Sequence, residues 1–409
     1  MRVGESERVS EKAQSERHDA PIIALVSFAH LLSHFFMLCV PPLFPLLRKD
    51  LGLDYVDMGL TVTIYAIVTG ALQTPMGFLV DRFGGRPVLI AGLFVNALAI
   101  FLAAYVTGFW GLAFAMALGG LGSSVFHPAD YTILNAAVSP SRIGRAMSAH
   151  SLAGNLGFLV GPLFVAFVAA FGGWMLALQS AGLLGMAFAL VMAIAPAAWY
   201  EGDAAVPRKS RAAQWRMLIS SPRILSLFVF YMFSSAANSG IVHFSVVTLH
   251  ELYQVPLAAA AVALTIYQAA QMLMVLPGGY LADKISSQEA LLAVCFAASG
   301  VAVVIVGATA VPFAAAVVIL GASGAMRGLV NASRDISVRH AAGAVSVGTV
   351  FAFVTTGYSG GQVIGPIAYG FLVDMGRPDY VFWLSGAFSF LGVLTMLVGL
   401  RAPAPQPAD

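Results

Sequence analysis

Gly77-Phe78-Leu79-Val80-Asp81-Arg82-Phe83-Gly84-Gly85-Arg86-Pro87 is the stretch on which the fold turns. An apolar run that begins near residue 57 ends here in a carboxylate, two guanidinium groups and paired glycines, and another apolar run starts at once from Pro87. The same order returns in reduced form 202 positions later, as Gly279-Tyr280-Leu281-Ala282-Asp283-Lys284. Upstream, Thr63-Ile64-Tyr65 and Pro75 are matched at that offset by Thr265-Ile266-Tyr267 and Pro277. Farther along, Gly157, Gly161 and Pro162 recur 204 positions on as Gly361, Gly365 and Pro366. Shared alanines or leucines would mean little in an apolar chain. A set holding Tyr, Pro and Asp at nearly one offset marks two homologous halves.

The 409 residues are 59% apolar and only 10% charged. A water-facing surface needs about a quarter charged residues, which excludes an ordinary soluble enzyme. Cys39 and Cys295 are the only cysteines, too few for a disulfide framework or a cysteine-rich metal cluster. A net charge of +2 gives no reason to expect nucleic acid as a partner. The expected partners are a lipid bilayer, a small-molecule substrate and protons, with the chain acting as a monomer and no cofactor.

A bilayer-spanning helix takes roughly 20 mostly apolar residues. Continuous apolar runs of that kind lie near residues 22–46, 57–80, 87–107, 110–137, 147–170, 174–195, 223–249, 258–281, 288–308, 311–333, 346–373 and 380–401, and are numbered spans 1 to 12. The runs do not alternate, which disfavours a membrane barrel. The fold class is therefore all-α, twelve transmembrane helices in two six-helix halves. Residues 1–20 form an expected tail, 21–195 the first half, 196–222 a central loop, 223–401 the second half and 402–409 a closing tail. No cleavable signal peptide is apparent at the start. Eighteen of the 21 Lys and Arg fall on the side that holds both tails and the central loop, leaving Arg48, Lys49 and Arg377 opposite. Positive loops stay in the cytoplasm, so both termini are expected there, in a bacterial inner membrane. Trp110, Trp174 and Trp383 then open spans at the outer interface.

The Gly77-to-Pro87 stretch resembles the signature between the second and third helices of the major facilitator superfamily, and Gly279 to Lys284 falls where that family carries its second copy. The resemblance implies the twelve-helix fold and alternating access. Gly77, Asp81, Arg82, Arg86, Asp283 and Lys284 would form a conformational latch, with Asp81 accepting from a helix N-terminus or pairing with Arg82 or Arg86. Gly154, Gly157, Gly161 and Pro162 resemble the glycine-rich motif of exporters in the superfamily. Their echo at Gly361, Gly365 and Pro366 leaves plain helix packing equally open. Gly122-Ser123-Ser124-Val125-Phe126-His127-Pro128 is similar to the fosmidomycin-resistance branch, which exports drug-like anions in exchange for protons. Ala129 intervenes before Asp130, and His34 stands where that branch tends to have Asp. Met116 occupies the place of an arginine that other exporters of the superfamily use for coupling.

Ionisable groups inside spans are costly and so line cavities or find partners. His30 and His34 lie one turn apart on span 1, and His127 and Asp130 lie three residues apart on span 4. Imidazole changes charge near neutral pH, making these four the proton-coupling candidates. Asp130 has a second reading, as a gate charge near the cytoplasmic end. A metal is not expected, because no third ligand is evident beside the His30 and His34 pair. Arg327 is the candidate for holding a carboxylate or phosphonate, since guanidinium stays charged and binds such groups bidentately. Its alternative is a pairing with Asp335. Tyr65, Gln73, Asn155, Asn238, His243, Tyr267, Gln268, Gln271, Asn331, Tyr358 and Gln362 are further substrate-binding candidates, each with an alternative role as helix glue. No phosphate-binding loop of the Walker type occurs, and no nucleophile-base set points to an enzyme. Proton-coupled export of a small organic solute is the leading expectation. Uptake of a small organic anion through Arg327 comes second, and a non-transporting sensor third.

Overall fold

The computed structural model describes residues 3–139, 142–195, 218–309, 311–341 and 347–400. The expected central loop, with Arg208, Lys209, Arg211 and Arg216, falls almost wholly outside the described residues, as does the 402–409 tail. Every regular element among the described residues is helical. Within hydrocarbon the backbone has no water to bond, and a helix satisfies each N–H and C=O internally.

Among the described residues, ten helices are long and apolar enough to cross a bilayer. One of them, Ile143–Ile194, holds 52 residues and carries both span 5 and span 6 across a bend at Gly172 and Gly173, where Gly173 has φ 76°. Val347–Asp374, with Pro366 inside it, adds span 11. Twelve spans result. Several are broken where the sequence offers Pro or Gly. Span 1 is helical to Met37, turns, and resumes as Phe44–Leu51. Span 4 stops at Ser123 and restarts as Phe126–Ala137, and span 10 breaks the same way between Leu329 and Asn331. In span 7, Gly240–Phe244 widens to a π-helical turn. Of the three tryptophans expected at an interface, Trp110 and Trp383 are exposed. Trp174 is buried, because it follows the Gly172–Gly173 bend and turns inward.

By contacts the described chain divides into one unit of residues 1–40 and 67–206 and another of 41–66 and 207–409. The division differs from the six-plus-six split in that Pro41–Ala66 goes with the second unit. In the first unit span 1 packs on span 5 through Gly154, Gly157 and Gly161. A Cβ at Gly157 would strike the Leu31 carbonyl oxygen, and one at Gly161 would lie 2.7 Å from that of Phe35. Asp19 joins the start of span 1 to the turn before span 5, accepting from Ser139 Oγ at 2.8 Å and pairing with Arg142 at 3.6 Å. In the second unit the equivalent stripe lies on span 11. A Cβ at Gly361 would strike the Met232 carbonyl oxygen, and one at Gly365 would lie 2.9 Å from Ser239. Its core is built on Leu227, Phe230, Phe296, Val354 and Met396.

Candidate functional site

The first unit gathers four histidines around one carboxylate. His30 and His34 project from the same face of span 1, with ring centroids 4.4 Å apart. The break in span 4 brings His127 and Asp130 in near the start of the restarted helix. Span 5 adds His150, whose ring stacks on His30 at 3.8 Å, while His127 stands 5.3 Å from His30. Gly154 makes the approach possible: a Cβ there would lie 2.8 Å from His30 Nε2 and 2.9 Å from His34 Cε1. Tyr131 closes one side, its ring 5.8 Å from His127 and 5.7 Å from His150.

Asp130 is wholly buried, His30 and His150 almost so, and His127 is exposed. Asp130 Oδ2 lies 3.3 Å from His30 Nδ1 and 3.8 Å from His150 Nε2. Both are ion-pair distances without hydrogen-bond alignment. Neither oxygen of Asp130, nor His30 Nδ1, nor either ring nitrogen of His150, has a hydrogen-bond partner among the described residues. Burying an unmatched carboxylate costs several kcal/mol, so this group calls for a proton, a charged imidazole or a bound cation. One donor atom from each of His30, His127 and His150 falls within 4.8 Å of the others. His150 is legible on span 5 as a polar residue, but nothing in its neighbourhood in sequence ties it to span 1.

Arg327 is different. It is 5% exposed, and its Nε donates to Ser299 Oγ at 3.1 Å, Nη2 to Ser389 Oγ at 2.9 Å and Nη1 to the Ser234 carbonyl at 3.5 Å. Its guanidinium also lies 5.2 Å from the Phe296 ring centre. The alternative pairing with Asp335 does not occur, because Asp335 is taken by its neighbour Arg334 at 3.2 Å. No carboxylate pairs with Arg327 among the described residues.

The remaining substrate-binding candidates are divided between the two units. Tyr267 is fully buried and donates to Asn238 Oδ1 at 3.0 Å, and Tyr65 is also buried. His243, in the π-helical turn, sits 3.4 Å from Gln362 Oε1, and Gln362 Nε2 donates to the Tyr358 hydroxyl at 3.4 Å. This is a short polar line within the second unit. Gln268 is buried; Gln73, Gln271 and Asn331 are half-buried. Asn155 is exposed and donates to its own helix at the Ser151 carbonyl.

Among the latch candidates, Asp81 and Arg82 are exposed and form no ion pair with each other. Arg86 donates to the carbonyls of Met192, Ala193 and Ala195, the last at 2.9 Å, capping the end of span 6. Gly77 faces Pro128 at van der Waals distance. In the second copy Asp283 and Lys284 are exposed, with Lys284 over the Tyr280 ring at 4.2 Å. The residue that does grip a helix N-terminus was missed. Asp374 accepts from Tyr55 N at 2.9 Å and Val56 N at 2.7 Å, and Arg48 pairs with it at 3.3 Å. A signal existed, for Gly370-Phe371-Leu372-Val373-Asp374 repeats Gly77-Phe78-Leu79-Val80-Asp81 residue for residue.

The model of the Major Facilitator Superfamily matches residues 26–261 and 229–409. The fosmidomycin resistance protein of Escherichia coli K12 is 30% identical over 149 residues, 36% of this chain and 36% of that protein. An uncharacterised MFS-type transporter of Methanocaldococcus jannaschii, MJ1560, is 19% identical over 386 residues, 93% of this chain and 96% of its own. Among solved structures, the nucleoside transporter NupG superposes with a TM-score of 0.74 at 16% identity, covering 94% of this chain and 100% of that one.

Proposed function

Because this chain belongs to the Major Facilitator Superfamily, a family of transporters and not of enzymes, we propose that it moves a small organic solute across a bacterial inner membrane by proton-coupled alternating access, in the direction of export. The observation that carries the coupling is Asp130, fully buried with His30 and His150 at ion-pair distance and no hydrogen-bond partner. A carboxylate so placed takes up a proton as its surroundings dry and yields it when a competitor or water enters. The neighbouring imidazoles, ending at exposed His127, supply a route for that proton to leave. The partial match to the fosmidomycin resistance protein supports export, and the glycine stripe on span 5 lets the cluster sit between tightly packed helices. The chain works as a monomer with both termini cytoplasmic, as the distribution of basic residues suggests.

The test is a proteoliposome assay with a pH reporter inside, screened against carboxylates, phosphonates and cationic drugs. Solute-dependent proton movement is expected in the wild type and lost in Asp130→Asn. Solute flux indifferent to collapse of the proton gradient would sink the coupling. A second reading, uptake of an organic anion, draws on the buried Arg327 with no carboxylate partner among the described residues. Transport that persists in Arg327→Gln removes it.

A further inference from the structure

We propose that His30, His127, His150 and Asp130 form a binding site for a divalent first-row transition-metal ion of the Zn2+ class. The inference concerns the same cluster as the coupling reading and rests on it for the site's access, while its evidence is separate. Three imidazoles and one carboxylate are the donor set that such ions take, where harder cations such as Mg2+ and Ca2+ require mostly oxygen.

The three imidazoles alone form the group whose donor atoms lie within 4.8 Å of one another, and Asp130 brings its oxygen up to two of them. Ligand atoms about 2.0–2.1 Å from a tetrahedral ion lie roughly 3.4 Å from one another. His30 Nδ1 and Asp130 Oδ2 are already 3.3 Å apart, and His150 Nε2 is 3.8 Å from the same oxygen. The three imidazole donor atoms, within 4.8 Å, need to draw in by about an ångström. Exposed His127 has room to swing, whereas His30 and His150 are fixed by stacking.

Two further observations point to a ligand here. Both oxygens of Asp130 and both ring nitrogens of His150 are buried without hydrogen-bond partners, an arrangement that an ion would satisfy in one step. Gly154 also leaves free the space beside His30 and His34 that any side chain would fill. His34 sits against Phe158, with ring centroids 4.1 Å apart, and is placed to steady His30 instead of serving as a ligand. All four ligands come from one unit, spans 1, 4 and 5. A bound ion therefore ties those three helices together and excludes protons from the lone pairs that coupling uses.

The full chain, purified in detergent with a histidine-free tag and stripped with a chelator, is titrated with Co2+ while visible absorption is read. One equivalent of Co2+ with the intense bands of a four-coordinate site is expected, bleached by added Zn2+. His127→Gln, an exposed position that does not threaten folding, and Asp130→Asn are each expected to weaken Co2+ binding at least about tenfold. His34→Gln keeps the bands, and His243→Gln, a buried histidine outside the cluster, controls for nonspecific loss. Absence of saturable bands in the wild type, or their persistence in the His127→Gln/His150→Gln double variant, overturns the site. Proton-coupled flux in chelator-treated liposomes together with no Co2+ bands removes the metal site alone. Co2+ bands together with gradient-independent flux remove the coupling alone.

Discussion

The two units bury charge in opposite ways. In the first, Asp130 is surrounded by imidazoles that approach to ion-pair distance yet leave its oxygens without hydrogen bonds. In the second, Arg327 is buried almost as deeply but has its donors distributed over Ser299, Ser389 and the Ser234 carbonyl. A buried charge whose bonds are made by fixed hydroxyls is part of the architecture, for nothing arriving or leaving improves it. A buried charge left incomplete is poised to gain a ligand, and protons and metal ions are the ligands that fit between imidazole and carboxylate. The contrast predicts function in the first unit and stability in the second.

The largest effect is expected from Asp130→Asn, which keeps the size of the side chain and removes its proton-carrying capacity. Coupled transport should fall about a hundredfold or more, the scale on which a positioned proton carrier matters, with thermal stability unchanged or raised as a buried charge is removed. The measurement is proton flux in liposomes beside a thermal-shift trace. An Asp130→Asn protein that still couples would erase the distinction between the units.

Arg327→Gln tests the other side. The guanidinium's three bonds cannot all be replaced by one amide, so roughly 2–3 kcal/mol of stability should go. Transport by the surviving folded protein is expected to continue. The combination of lowered melting temperature and retained flux separates a structural arginine from a substrate-binding one.

Next comes Gly154→Ala. The added methyl would meet His30 Nε2 and His34 Cε1 at under 3 Å, and overpacking of this kind costs about 1–3 kcal/mol. Because the atoms displaced belong to the cluster, the coupled rate should fall together with stability. Gly144→Ala on the same helix has nothing within 4 Å of the new carbon and should leave both unchanged. Equal effects at the two positions, read by flux and thermal shift, would mean that the glycines set helix packing without shaping the cluster.

The contrast also explains what could be read without coordinates. The spans are legible because hydrocarbon demands continuous apolar helices, and the internal repeat because Tyr, Pro and Asp recur at nearly one offset. His30 with His34, and His127 with Asp130, are legible as pairs since each lies within a turn of one helix. Their union with His150 is not, because it depends on Gly154 admitting span 1 against span 5. Arg327 reads as an anion site because serines, common in any span, carry no mark of caging a guanidinium. Arg86 reads as part of the Asp81 turn, and its bond to the Ala195 carbonyl, more than a hundred residues away, has no mark in the sequence. Local spacing shows which groups share a helix face, and only packing decides which of them are left unsatisfied.

The smallest expected effect probes an acid that clasps a helix start from another span. Asp81 and Asp374 end identical pentapeptides, but Asp81 is exposed while Asp374 lies across the first turn of Tyr55–Phe83. The N–H groups of Tyr55 and Val56 have no acceptor within their own helix, and a carboxylate there is favoured by both the hydrogen bonds and the helix dipole. Asp374→Asn retains one oxygen acceptor and loses the charge and the Arg48 pairing, so about 1 kcal/mol should be lost. Arg48 is 43% exposed and its contribution is correspondingly small. Asp81→Asn, with no such contact, should leave thermal stability where it was. Should Asp81→Asn prove as destabilising as Asp374→Asn in the same thermal-shift measurement, the shared pentapeptide would owe its effect to local helix structure, and the clasp at Tyr55 and Val56 would carry no weight of its own.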